Sequence, residues 1–160
     1  MTRKNYGASH TTFTVSAKRF DLSPFMSKYA NNETVFGISA NRFYPLSTED
    51  DPSDCYWNLR NNVMLYDVPE KPIEISGPHS IKLLEKVFTR TVTDLKINRA
   101  RYAIACTHEG GVLMDGVLIR LKKEKFWYVH ANGDFETWLL AHSKGYNVNI
   151  RDPKSWVIQI

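Results

Sequence analysis

The sequence predicts an α+β fold, a mainly antiparallel sheet with interspersed helices. Three observations carry this. Residues 101–107, 112–121 and 126–131 read as strands, separated by turn-like His108-Glu109-Gly110-Gly111 and Lys122-Lys123-Glu124-Lys125. That is the pattern of antiparallel strands joined by tight turns. Gly77-Pro78 opens a stretch in which Ile81, Leu83, Leu84, Val87 and Phe88 form one apolar stripe, as on a helix with proline in its first turn. Asn132-Gly133-Asp134 precedes a third kind of stretch, residues 135–143, with Phe135, Trp138, Leu139 and His142 on one side. Helices that interrupt a mostly antiparallel sheet define the α+β class.

The remaining elements follow in chain order. Residues 1–10 are polar and read as frayed, and residues 11–15 alternate as a short strand. Ser23-Pro24 starts a short helix through Tyr29, because serine caps and proline suits a first turn. Residues 31–33 are turn-like and residues 35–38 a strand. Residues 47–54 form a loop or the polar start of a helix. Residues 56–65 carry weak helical periodicity, with Trp57, Arg60 and Met64 on one side and Tyr56, Leu59 and Val63 beside them. Residues 72–76 are a strand before the Gly77-Pro78 helix. Gly145 is expected to end the last helix. Residues 146–151 and 156–160 are two final strands. The apolar run Trp156-Val157-Ile158-Gln159-Ile160 closes the chain without a polar tail, and the sequence is therefore expected to be a piece of something longer.

At 160 residues, 42% hydrophobic and 24% charged, the chain has the composition and length of one globular domain. Its net charge of +4 is spread along the sequence, which argues against nucleic acid as a partner and for solubility or a mild preference for anions. Cys55 and Cys106 lie far apart, without the spacing of a zinc site, so no metal is expected. No apolar run approaches membrane-spanning length and no leader pattern precedes it. Asn32-Glu33-Thr34 fits a glycosylation acceptor, a pattern short enough to arise by chance. A cytoplasmic location is the default expectation.

The main functional hint is Asp115. On a strand through residues 110–121, side chains alternate between faces, so Leu113, Asp115, Val117, Ile119 and Leu121 share one. Four of these five are large and apolar, and this face is therefore expected to point into the core with Asp115 buried. An ionised carboxylate buried without a partner costs several kcal/mol. Gly116 beside it suits a bulge or a close approach by a ligand. Two meanings stay open: a functional acid, or a structural one paired with a Lys, an Arg or a backbone N–H. The histidines have bland explanations. His108 falls in a turn, His130 alternates with aromatics on a strand, and His142 lies near a helix C-terminus.

Several stretches, taken together and in order, resemble a known family. They are Tyr56-Trp57 with Leu59-Arg60; Leu65-Tyr66-Asp67-Val68; Ile75-Ser76-Gly77-Pro78-His79-Ser80; Ala100-Arg101-Tyr102; Glu109-Gly110-Gly111-Val112-Leu113-Met114-Asp115; and Val157-Ile158-Gln159. The family is the glycine-cleavage T-protein (aminomethyltransferase) and folate-dependent demethylase superfamily, and the chain resembles its amino-terminal portion. Ser23-Pro24-Phe25, the run Asn41-Arg42-Phe43-Tyr44-Pro45-Leu46 and the run Phe126-Trp127-Tyr128-Val129-His130-Ala131 are closer to the dimethylsulfoniopropionate demethylase branch. Pro69-Glu70-Lys71 after Val68, and Met114 in place of an acid, depart from true glycine-cleavage members.

The resemblance implies a first half of a folate-binding domain over residues 46–160, after a partly ordered N-terminal segment, 1–45. It implies tetrahydrofolate as cofactor and a small methylated amine or sulfonium as one-carbon donor. It matches Asp115 to the catalytic-site acid beside the reactive folate nitrogens. It matches Tyr102 to a tyrosine lining the folate pocket, on the strand paired with that of Asp115. Asn132 stands one place from a folate-contacting asparagine, and capping the following helix is its alternative role. Tyr102 has an alternative as a core aromatic. The folate-clamping Glu and Arg of the family fall beyond Ile160, so the 160 residues alone are expected to be inactive, and a homodimer is expected to replace the missing half. The competing expectation is a folate-binding or interaction module without catalysis.

Overall fold

Local sequence sets the first elements. The structure is a computed structural model in which residues 17–131 and 133–160 are described; the expected frayed segment 1–10 and strand 11–15 lie outside them. Ser23 Oγ accepts from the Phe25 N–H at 3.1 Å ahead of a single-turn helix, α1 (Met26–Tyr29). The turn at Asn31 is held by its Oδ1, which accepts from the N–H groups of Glu33 and Thr34, both at 2.9 Å. β1 (Val35–Ser39) and β2 (Arg42–Ser47) then form an antiparallel hairpin. Ala40 and Asn41 make its two-residue turn with φ of 49° and 63°, the left-handed geometry that matches strand twist. The sequence did not signal β2.

α2 (Pro52–Asn61) starts where its cap dictates. Asp51 Oδ1 accepts from Ser53 N–H at 2.8 Å and Asp54 N–H at 3.1 Å, and Pro52 fills the first position. The helix expected over 56–65 is thereby shifted toward the N-terminus. None of its residues is buried.

The remaining elements are β3 (Tyr66–Asp67), β4 (Lys71–Ser76), α3 (Ser80–Val87), β5 (Arg99–Cys106), β6 (Val112–Lys122), β7 (Lys125–His130), α4 (Phe135–His142), β8 (Asn149–Arg151) and β9 (Ile158–Gln159). Five strands form one sheet in the order β5-β6-β7-β4-β8, every neighbouring pair antiparallel. β3 pairs with β9 separately. The α+β expectation holds. Among the described residues no helix is long and apolar enough to cross a membrane.

The core lies between one face of the five-stranded sheet and helices α3 and α4. Leu83, Leu84 and Val87 of α3 and Phe135 and Leu139 of α4 are buried against Ile73, Ile75, Leu118, Phe126, Tyr128 and Ile150. Phe88, Tyr128 and Phe135 form an aromatic cluster with ring centroids 4.7, 5.0 and 5.9 Å apart. Aromatic rings at such separations add to the burial energy of their area.

The core-facing side of β6 is the opposite of the one its composition suggested. Leu118 is 1% exposed and Met114 packs against the core, whereas Leu113 and Val117 are 36% and 37% exposed and Asp115 is exposed as well. The reason lies on the neighbouring strands. Gly116 pairs with Ala103 on β5 and His130 on β7. Over that low spot lies the Tyr128 ring, whose hydroxyl donates to Ala103 O at 3.0 Å. A face with glycine in its middle can belong to the core when a neighbour's ring supplies the volume. Nor does Gly116 form a bulge or a ligand's close approach. A Cβ there would stand 2.3 Å from Val129 O and 3.0 Å from the Tyr128 ring, so the approach is the protein's own.

Gly116→Ala therefore has to displace backbone. It is expected to cost about 2–4 kcal/mol of stability in urea unfolding, more than an ordinary overpacked methyl. Gly111→Ala, whose added Cβ meets nothing closer than 3.5 Å, is the control, expected to change stability by less than about 1 kcal/mol.

Candidate functional site: the open face of the sheet

The face of the sheet away from α3 and α4 carries two acids in contrasting settings. Along β6 and β5, strand alternation puts Asp115, Val117, Tyr102 and Ile104 on this side. Asp115 is directly opposite Ile104, and Tyr102 is opposite Val117. Tyr102 is thus the diagonal neighbour of Asp115, within reach of a long aromatic side chain. Its hydroxyl donates to Asp115 Oδ2. That bond, with the adjacent negative charge, raises the Tyr102 phenol above its ordinary value and keeps it a proton donor. Tyr102 is 50% exposed.

The second acid is Glu74, which the sequence reading did not single out. Its side chain is 5% exposed. Glu74 faces Trp127 on β7 and Arg151 on β8. Oε2 accepts from Trp127 Nε1 at 3.0 Å and pairs with Lys125 Nζ at 2.7 Å. Oε1 accepts from Arg151 at 3.0 and 2.7 Å. Burial pushes the carboxyl up, but the bonds from Lys125, Trp127 and Arg151 outweigh it and bring it from 4.5 to about 2. The structural role left open for Asp115 therefore belongs to Glu74: a buried acid satisfied on every side. A polar residue between Ile73 and Ile75, with Arg151 opposite on β8, Trp127 opposite on β7 and Lys125 two residues along from it, was the available signal.

The hairpin brings Tyr102 and Asp115 into contact through the bond between them. The expected burial of Asp115 is not found, and the alternative of Tyr102 as a core aromatic is excluded by its exposure. Asn132 lies outside the described residues, and Asp134 caps α4, accepting from Thr137 N–H at 3.2 Å and from Thr137 Oγ1 at 2.6 Å. A cavity of about 310 Å³ lies between the start of β6 and α4, lined by Leu113, Met114, Phe135 and Trp138; neither Asp115 nor Tyr102 lines it. Next to it the rings of His108, Trp138 and His142 cluster at 4.3–5.9 Å, and a His142 ring nitrogen lies 2.9 Å from Trp138 O. Among the described residues no three acids, histidines or cysteines gather as a metal site, and Cys55 and Cys106 are free thiols.

The glycine cleavage system aminomethyltransferase T from Bartonella henselae superimposes with a TM-score of 0.71 over 87% of this chain and 40% of that one, at 21% identity. The GCVT N-terminal domain profile matches residues 25–160, and the chain belongs to that family. Similar proteins include dimethylsulfoniopropionate demethylase from Ruegeria pomeroyi, 29% identical over 104 residues (63% of this chain, 28% of that protein). An aminomethyltransferase from Corynebacterium aurimucosum is 29% identical over 106 residues (64% and 29%). The match spans less than a third of the length of these relatives.

The Glu74 cluster makes stability depend on acid. Its folded value lies below the ordinary 4.5, so its contribution is full above about pH 5 and lost as pH falls toward 2. The shift corresponds to roughly 3 kcal/mol. Thermal melts of the wild type are expected to fall steeply between pH 5 and 2. Glu74→Gln is expected to lower stability at pH 7 and to flatten that slope; an unchanged slope would contradict the assignment.

Proposed function

We propose that this domain serves tetrahydrofolate-dependent one-carbon transfer, with the pterin seated against the open sheet face beside Asp115. The single observation that supports this most is the Tyr102–Asp115 pair: an acid of this family's domain, on an unfilled face, oriented by a phenol and, among the described residues, without a cationic partner within salt-bridge distance. The donor is a small methylated amine or sulfonium, as the names of its relatives suggest. Tyr102 occupies Oδ2 and leaves Oδ1 of Asp115 to accept from a folate N–H. A carboxylate so placed also stabilises positive charge as it develops on the transferring carbon. Proximity of donor carbon and folate nitrogen supplies much of the acceleration. Asn132, one place from a folate-contacting asparagine by resemblance, is a further candidate contact.

The exposure of Asp115 favours a narrower reading for these 160 residues taken alone. An acid in water cannot exert the field of an enclosed one, so the chain by itself is proposed to bind folate weakly and to transfer little. A non-catalytic folate-binding module is the alternative that the same exposure supports.

Titration of folinic acid against tryptophan fluorescence separates these. Quenching that Asp115→Asn and Tyr102→Phe each weaken by about five- to ten-fold supports the site; no quenching at millimolar ligand opposes folate binding by this chain. In the protein that contains these residues, Asp115→Asn is expected to abolish transfer to tetrahydrofolate with the melting temperature preserved. Normal turnover by that variant would remove the catalytic role.

A further inference from the structure

A larger cavity lies well away in sequence from the Tyr102–Asp115 pair. About 500 Å³ in volume, it sits between β2, the start of α2 and β3, and neither Tyr102 nor Asp115 lines it. Three tyrosines contribute to its wall: Tyr29 from α1, Tyr44 from β2 and Tyr66 from β3. So do two carboxylates, Asp50 and Asp67. Among the described residues no Lys, Arg or His lines it, although the chain as a whole carries a net charge of +4.

We infer that this cavity binds a small organic cation bearing N-methyl groups, of the quaternary ammonium class. Aromatic rings attract cations through the negative potential of their faces, and quaternary ammonium groups are the ligands most suited to rings rather than hydrogen-bond acceptors. The two carboxylates supply the charge complement. An anion would meet two like charges and, among the described lining residues, no cation. A neutral apolar ligand would gain nothing from Asp50 and Asp67. A bare metal ion would lack a third ligand, since among the described residues no such group of three exists. The volume is that of a small-molecule site.

The wall is pre-formed. Tyr29 Oη donates to Asp67 Oδ2 at 2.7 Å. Burial, and then that bond, push the Tyr29 phenol well above its ordinary value, so it remains the donor to Asp67. Asp67 is further fixed by pairing with Ile158 on β9. β2 is tied down by Arg42, 2% exposed, which donates to Glu70 O at 2.7 Å and Ser155 O at 2.9 Å and stacks 4.1 Å over the Trp156 ring. A site already held in shape spends little of its binding energy on ordering.

The test titrates choline chloride into the full 160-residue chain by calorimetry, against its neutral isostere 3,3-dimethyl-1-butanol and against sodium chloride. Choline is expected to bind with Kd of about 1 mM or tighter and the isostere at least about ten-fold more weakly. Tyr66→Leu, at a ring 38% exposed and outside the core, is expected to weaken choline by about ten-fold. Asp50→Asn, at an exposed carboxylate, is expected to narrow the preference for the cation over its isostere. Equal binding of choline and isostere, choline affinity unchanged in Tyr66→Leu, or no choline binding up to about 50 mM would each overturn the inference. None of these outcomes bears on folinic acid binding at Asp115.

Discussion

The Tyr128 ring over Gly116 is the constraint that sets which face of the β5–β6–β7 sheet is core and which is open. The ring needs a site with no Cβ beneath it, and its hydroxyl needs an acceptor across the sheet. Gly116 and the Ala103 carbonyl provide both. With Tyr128 fully buried, its side of the sheet must be the core side. Period-two alternation then sends Asp115 and Val117 to the other face, and the β5–β6 register brings Tyr102 diagonally beside Asp115. The direction of Asp115 is thus a consequence of packing one strand away, not of its own neighbours in sequence. Burial pushes the Tyr128 phenol up, so the bond to Ala103 persists across any ordinary pH.

The open face divides into a saturated half and an available half. At Glu74 two cations and an indole N–H consume the acid's acceptor capacity. Removing any one donor leaves a buried charge under-solvated, which is why such clusters are structural. At Asp115 one phenol binds one oxygen. The two acids differ in what remains unused, and unused capacity on a convex or open surface is what a ligand can take.

Most of the domain from Ile73 onward was legible in the sequence, because its strands and helices carry their own punctuation. The turns at 108–111 and 123–124, the stripe of α3 and the Asp134 cap of α4 each arise within a few residues. The earlier third was less so. β2 follows a two-residue turn, Ala40-Asn41, that carries no glycine to mark it, and β3 is held by β9, some ninety residues later. The pairing of Tyr102 with Asp115 was foreseeable, since a β-hairpin brings its two strands together wherever its turn is readable. The face of Asp115 was not. Counting apolar residues favoured Leu113, Val117, Ile119 and Leu121 over Met114, Gly116, Leu118 and Arg120. That count ignores that Arg120, near the end of the strand, carries its guanidinium to Leu95 O and Lys123 O, donating to each at 2.7 Å, and that Tyr128 fills the glycine's volume.

An outward Asp115 alters the physics of the proposed transfer without removing its basis. A carboxylate inside the core would carry its desolvation cost in the folded chain whether or not cofactor was bound. Facing outward, it stays hydrated until something covers it, and the cost falls on the binding step. A planar, partly apolar ring system laid over Val117, Ile104 and Tyr102 would expel that water while its own N–H groups replace it at Oδ1. The field at Asp115 would then strengthen only when cofactor is in place, since the same charge acts over a lower dielectric. Exposed apolar neighbours around a singly hydrogen-bonded acid fit that sequence of events, whereas a buried acid would have been built for permanence, as Glu74 is.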